Sequence, residues 1–172
     1  MKVVAIIAQK DFRDEELFDT KSALEENGIE VRVAALSDEE AVGKLGGRVV
    51  PGLLVSDIHI DSFAGCILIG GPGAYDLIDN LEIRNVILKF AEANKLVSSI
   101  CIAGAILAKA GVLRGKRATI HFSGAEYLEE AGAIYEGNDL EIDGNIITAS
   151  GPAVAARFGQ EIANYLKNKQ GN

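Results

Sequence analysis

The sequence predicts an α/β domain of three layers, a mostly parallel sheet with helices on both faces. Three observations predict it. Short apolar runs rich in β-branched residues alternate with longer segments of helical period. The first run, residues 3–8 (Val-Val-Ala-Ile-Ile-Ala), is apolar throughout, as in a strand covered on both faces. No repeat, linker or low-complexity stretch interrupts the series, so the 172 residues read as one domain, 1–172. Parallel strands need crossover connections, and right-handed crossovers place helices on both sides of the sheet.

The elements follow in order. After strand one, residues 15–27 put Leu17, Ala23 and Leu24 on one stripe and stop at Gly28, a left-handed helix end. Residues 29–36 read as the next strand. Residues 43–60, rich in Gly and Val, are expected to hold short edge pairing, with His59 pointing outward from an edge strand. Residues 63–69 form another buried strand, in which Cys66 sits mid-strand as inert core packing. Residues 82–94 carry Ile83, Val86, Ile87 and Phe90 at helical spacing, and 96–100 return to strand character. An Ala- and Leu-rich helix over 102–110 begins directly after Cys101 and stops at Gly111. A further strand is expected over 117–122, a short helix over 124–130, and a hairpin turn at Asp143-Gly144 before a strand over 145–149. Pro152 opens a last helix that runs to about Lys167.

Composition excludes several function classes. Lys and Arg number 17 against 25 Asp and Glu, a formal net charge of −8 with no basic run, which argues against a nucleic-acid partner. The most apolar stretch, residues 97–108, is cut by Lys109 and falls short of the roughly 20 residues of a spanning helix, so no membrane partner is expected. The six apolar residues at the start are fewer than the roughly seven to fifteen of a signal core. The expected compartment is therefore the reducing cytoplasm, with Cys66 and Cys101 as free thiols. Neither Cys nor His shows ligand spacing, so no metal and no cofactor are expected.

In parallel sheets ligands meet residues just past the carboxyl ends of the strands. The strongest signal there is Ser99-Ile100-Cys101-Ile102-Ala103, where a strand turns into a helix at a thiol flanked two residues away by small side chains. That is the pattern of a nucleophile elbow, whose sharp corner brings two backbones together. The free N–H groups of the new helix favour a thiolate and are expected to lower the thiol pKa. A buried strand-end cysteine is the plain alternative. Gly70-Gly71-Pro72-Gly73 lets backbone N–H groups turn toward a bound oxygen. With the amide of Ile102 it is a candidate oxyanion hole, and as a tight turn it needs no function at all. A dinucleotide fingerprint fails because Asp76 stands where a third glycine belongs. Asp14, Glu15 and Glu16 suit the first turn of a helix as solvated acids, and Glu16 is the candidate for a carboxyl facing the cleft. His121 near a strand end is a candidate base for Cys101 or a bystander.

Taken together, these residues resemble the ThiJ/PfpI superfamily over almost the whole chain. The resemblance rests on the acidic start of helix one near Glu16, the Gly70-Gly71-Pro72-Gly73 turn, and Ser99-Ile100-Cys101 running into an Ala-rich helix. Thr119 leading to His121 and Ser150-Gly151-Pro152 before the last helix complete it. It implies a flavodoxin-like sheet of the class I glutamine amidotransferase type and a homodimer or higher homo-oligomer. It implies Cys101 as the reactive cysteine, Glu16 as its facing carboxyl, and Gly71, beside Gly70, with Ile102 as oxyanion donors. His121 falls where one branch keeps a cleft histidine. The chain departs from the PfpI-type peptidases, which carry His-Gly-Pro after the nucleophile where this chain reads Ile102-Ala103-Gly104, and it has Ala74-Tyr75 near where they supply an acidic residue. No histidine follows Ser150, as the glutamine amidotransferases require.

The function implied is a cofactor-independent glyoxalase- or deglycase-like hydrolase or lyase in stress protection. Its substrate would be a small reactive aldehyde or a protein modified by one. Two alternatives remain at this level: an oxidation sensor or holdase acting through a Cys101 sulfinate, and a PfpI-type intracellular cysteine peptidase.

Overall fold

The structure, a computed structural model, describes residues 1–171. Ten strands and five α-helices follow the chain: β1 Lys2–Ile6, β2 Lys10–Phe12, α1 Asp14–Glu26, β3 Glu30–Ala35, β4 Ala41–Gly43, β5 Arg48–Val49 and β6 Leu53–Leu54. Then come β7 Gly65–Leu68, α2 Leu81–Glu92, β8 Leu96–Ile100, α3 Gly104–Ala110, α4 Ala125–Glu130, β9 Leu140–Asp143, β10 Ile146–Ala149 and α5 Ala155–Gln170. Short 3-10 segments at Pro72–Leu77, Cys101–Ala103 and Pro152–Val154 join strand ends to the helices that follow.

Seven strands form one sheet in the order β6-β3-β1-β7-β8-β10-β9, parallel except for the β10–β9 hairpin at the edge. The alternation along β1 and the residues after it shows why two helical layers are needed. Val3, Ala5 and Ile7 pack with Leu17 and Leu24 of α1 and Phe158 and Ile162 of α5. Val4, Ile6 and Ala8 pack with Ile83, Ile87 and Phe90 of α2 and Ile106 and Leu107 of α3. Successive strand side chains point to opposite faces, so a strand apolar at every position must be covered twice.

Two sequence expectations need correction. Residues 117–122 form no strand. Arg117 makes a single bridge to Ile134, and Ala118 N–H bonds the Ile134 carbonyl instead. Both sides of β10 are taken, by β8 and β9, so this segment has no strand of the main sheet to join there. Its alternation reflects Ala118 and Ile120 buried beneath α3 and α4, not a ladder. His59 is exposed, as expected, but lies between two 3-10 turns rather than in an edge strand.

A second sheet, β2-β4-β5, was only half anticipated. The edge pairing over 43–60 is present in β5 and β6, but β2 arises in the polar segment after strand one, where no hydropathy pattern marks it. It exists because β4 lies alongside.

Candidate functional site

Three strand ends converge. β1 leads through β2 into α1, β7 leads into Gly70-Gly71, and β8 leads into Cys101. Cys101 has φ of 60°, in the left-handed region that non-glycine residues rarely occupy. This is the strained corner the sequence pattern implied, and it carries a cost of about 1–2 kcal/mol that the buried flanks must offset. Ser99 and Ala103 are both buried at those flanks. The corner turns the thiol out of the sheet into a cavity of about 250 Å³ that Arg13, Glu16, Gly71, Ile102 and His121 also line.

The first turn of α1 presents Glu16 to the same point. Thr20, one helical turn further on, donates its hydroxyl to the Ala155 carbonyl at 3.2 Å, seating α1 on α5. Gly159 of α5 allows that approach, since a Cβ there would lie 2.7 Å from the Thr20 carbonyl oxygen. At the other side, Asp14 accepts the amides of Leu45 at 2.7 Å and Gly47 at 2.6 Å, tying the β4–β5 turn to the helix start. The Arg13 amide donates to the Gly70 carbonyl at 2.9 Å. Glu16 is fully buried, and its Oε2 accepts the Gly70 N–H at 2.9 Å. Its Oε1 is buried without a hydrogen-bond partner, and the Cys101 thiol lies beside the carboxyl. A Cβ on Gly70 would stand 2.7 Å from Cys101 Cβ, Glu16 Oε2 and the Ile100 carbonyl, so this position must be glycine for carboxyl and thiol to meet.

The electrostatics differ from the sequence expectation. The helix start was expected to depress the thiol pKa. The amides of Ile102 and Gly71 do approach the sulfur and pull in that direction, but burial and the Glu16 charge outweigh them and push Cys101 up to about 12. Burial pushes Glu16 up to about 7 against the hydrogen bonds from Cys101 and Gly70 and the charge of Arg13. The two groups are one titrating pair. Burial disfavours the charged form of each, and the Glu16 charge further disfavours a Cys101 thiolate.

His121 lines the same cavity, but its Nδ1 meets Ser123 Oγ at 2.8 Å and its ring packs on Phe122 with centroids 4.4 Å apart. Cys66 lies fully buried within β7. Arg13 escaped the sequence reading. Its only signal was position, three residues before Glu16 at the mouth of the same helix. Among the described residues no three His, Cys, Asp or Glu side chains cluster as a metal site, and no helix is long and apolar enough to cross a membrane.

This geometry can be set beside known proteins. The sequence model of the DJ-1/PfpI family matches residues 1–165. The chain belongs to that family. Within it, the chain is 39% identical to an uncharacterised protein of Methanocaldococcus jannaschii over 169 residues, covering 96% of this chain and 82% of the other. It is 30% identical to a deglycase of Pyrococcus abyssi over 164 residues, 95% of this chain and 99% of that one. It is 26% identical to a glutathione-independent glyoxalase of Caenorhabditis elegans over 165 residues, 96% and 88% respectively. The crystal structure of a ThiJ/PfpI domain protein from Brachyspira murdochii superposes with a TM-score of 0.95 at 26% identity, covering 97% of this chain and 96% of that one. The family's fold is thus this chain's fold.

Proposed function

We propose that this DJ-1/PfpI-family chain converts small α-oxoaldehydes to 2-hydroxy acids, or removes them from modified proteins, with Cys101 as nucleophile. The observation that carries the reading is the buried Glu16 carboxyl held beside the Cys101 thiol at an open cavity. A proton transferred from the Cys101 thiol to the Glu16 carboxylate leaves the sulfur a thiolate.

The thiolate attacks the aldehyde carbon. A C–S bond forms, the carbonyl electron pair moves to oxygen, and the N–H groups of Gly71 and Ile102 receive the developing charge. Glu16 then gives its proton to that oxygen, leaving a thiohemiacetal and a carboxylate. The carboxylate takes the C1 hydrogen as a proton, and the resulting enediolate carries its negative charge on the C1 oxygen once the C1 hydroxyl proton passes to the oxygen on C2. Return of the first proton to C2 yields a thioester, with C1 oxidised and C2 reduced by the same two electrons. Water cleaves the C–S bond, releasing the 2-hydroxy acid and returning one proton to the Cys101–Glu16 pair. His121, on the cavity wall, is the second candidate to carry the proton between oxygens.

The names of the Caenorhabditis and Pyrococcus relatives support this substrate class. The test is lactate formation from methylglyoxal without glutathione or added metal. If the purified chain and its Cys101→Ala variant behave alike, the reading is lost.

A second reading has its own support. Two amides and a neutral carboxyl around the sulfur would also hold the oxygens of a Cys101 sulfinate. Mild peroxide would then add two oxygens to Cys101 and leave Cys66 unchanged by mass spectrometry, whereas equal modification of both thiols argues against it. A peptidase has less to rest on, since the residue after Cys101 is the buried Ile102 where that branch keeps its histidine.

A further inference from the structure

We propose that Arg13 makes this pocket select α-oxoaldehydes that carry a carboxylate away from the aldehyde carbon. This substrate class is narrower than the reading above and rests on it.

The cavity is larger than the simplest substrate needs. Its 250 Å³ would hold roughly eight waters at about 30 Å³ each, whereas methylglyoxal brings only five heavy atoms. Among the residues that line it, Arg13 carries the only guanidinium or ammonium group. Pro72, Tyr75 and Pro152 line it too and supply apolar surface suited to a short methylene spacer.

The guanidinium is already oriented. Glu15 accepts from Nε at 2.8 Å and from Nη2 at 3.1 Å, which locks the fork in one plane. Five N–H donors project from an arginine, so three remain, and Nη1 has no hydrogen-bond partner among the described residues. The side chain is 34% exposed, so a ligand can reach those donors. The charge lies close enough to Cys101 and Glu16 for each to act on it. A substrate carboxylate on Arg13 would thus leave its aldehyde end directed at the sulfur, with a bidentate contact fixing the orientation. The covalent steps are those already described, since the distal carboxylate takes no part in the bond changes.

An alternative role for Arg13, tuning the charge of the Cys101–Glu16 pair, would alter all reactions of the thiol alike. The experiment separates the two. Cys101 is alkylated with iodoacetamide and with iodoacetate, which differ in a carboxylate, in the wild-type chain and in Arg13→Gln and Arg13→Lys. Any change in thiolate population cancels in the iodoacetate-to-iodoacetamide rate ratio. The ratio is expected to fall about tenfold in Arg13→Gln, as for loss of one charge-assisted contact. It should recover in part in Arg13→Lys. The fall should persist in about 1 M salt, where charges act over only about 3 Å. A ratio that Arg13→Gln leaves unchanged, or whose fall vanishes in salt, overturns the proposal. Turnover of methylglyoxal and of 4,5-dioxopentanoate, an α-oxoaldehyde with a terminal carboxylate, is measured on the same proteins. Methylglyoxal turnover with an unmoved ratio sinks selection by Arg13 and keeps the glyoxalase reading. A falling ratio with neither dicarbonyl turned over sinks that reading and the substrate class with it, leaving only carboxylate selection.

Discussion

Cys66 and Cys101 lie on neighbouring strands or strand ends of one sheet, and burial pushes both thiols up to about 12. Their surroundings differ in kind. Cys66 is paired in register with Val4 on one side and Val97 on the other, and its side chain packs in the core between the sheet and α2 and α3. Cys101 stands past the end of β8 at a left-handed corner, with two amides, a carboxyl and an open cavity around its sulfur. A raised pKa therefore does not tell a reactive thiol from an inert one. What separates them is a carboxyl beside the sulfur and an open cavity, and only the corner supplies both.

The largest expected effect breaks the comparison outright. Cys101→Ala should reduce α-oxoaldehyde turnover to background, while Cys66→Ala should keep turnover and lose stability, by about 1–2 kcal/mol for the emptied core site, in thermal or denaturant unfolding. Comparable activity losses in the two variants would erase the distinction.

Removing the proton acceptor should make Cys101 behave more like Cys66. Glu16→Gln is expected to lower turnover by about 10²–10⁴-fold, the usual range for a lost acid–base group. In the wild type, alkylation of Cys101 should change as pH passes through about 7, where the carboxyl beside the thiol ionises. In Glu16→Gln that inflection should disappear. Stability should move the other way. An unfolded carboxyl titrates near 4.5 and Glu16 near 7, so the folded state holds this proton more tightly. The associated stability is fully present below about 4.5 and is lost as pH rises through 7, on the order of 3 kcal/mol. Glu16→Gln should therefore unfold later than wild type at pH 8 and show a flatter pH dependence across that window.

Smaller effects test the corner itself. Gly70→Ala inserts a methyl 2.7 Å from Cys101 Cβ, Glu16 Oε2 and the Ile100 carbonyl, and should cost about 1–3 kcal/mol while separating carboxyl from thiol. Its alkylation profile should lose the step near 7. The smallest effect is the clearest on strain. Cys101→Gly should be more stable than Cys101→Ala by about 1 kcal/mol, because glycine accepts φ of 60° without the steric penalty that alanine meets. At position 66, in regular strand backbone, the order should reverse, with alanine the more stable.

Much of this was legible before any coordinates. The β-branched runs that became β1, β3, β7 and β8 needed cover on both faces and received it. Small flanks at Ser99 and Ala103 announced a corner at Cys101, and Asp143-Gly144 announced the β9–β10 hairpin. The failures share one cause. Residues 117–122 alternate like a strand, yet β10 already has a partner on each side and their backbone groups find Ile134 and Thr148 instead. Conversely, β2 forms without an apolar pattern because β4 runs beside it. Periodicity reports which side chains are buried, but ladder membership depends on which edges are vacant.

By itself, then, the sequence determined the layered sheet and the corner at Cys101, because these follow from local sterics and from the period of apolar side chains along the chain. The tertiary structure decided the chemistry at that thiol. It seated α1 through Thr20 and Asp14 so that Glu16 reaches a sulfur 85 residues away in sequence (101 − 16), and it buried the pair deeply enough to push both groups up in pKa. It also brought Arg13 to the rim of the same cavity. Desolvation and the distance between charges are properties of packed elements, and no single segment of chain contains either.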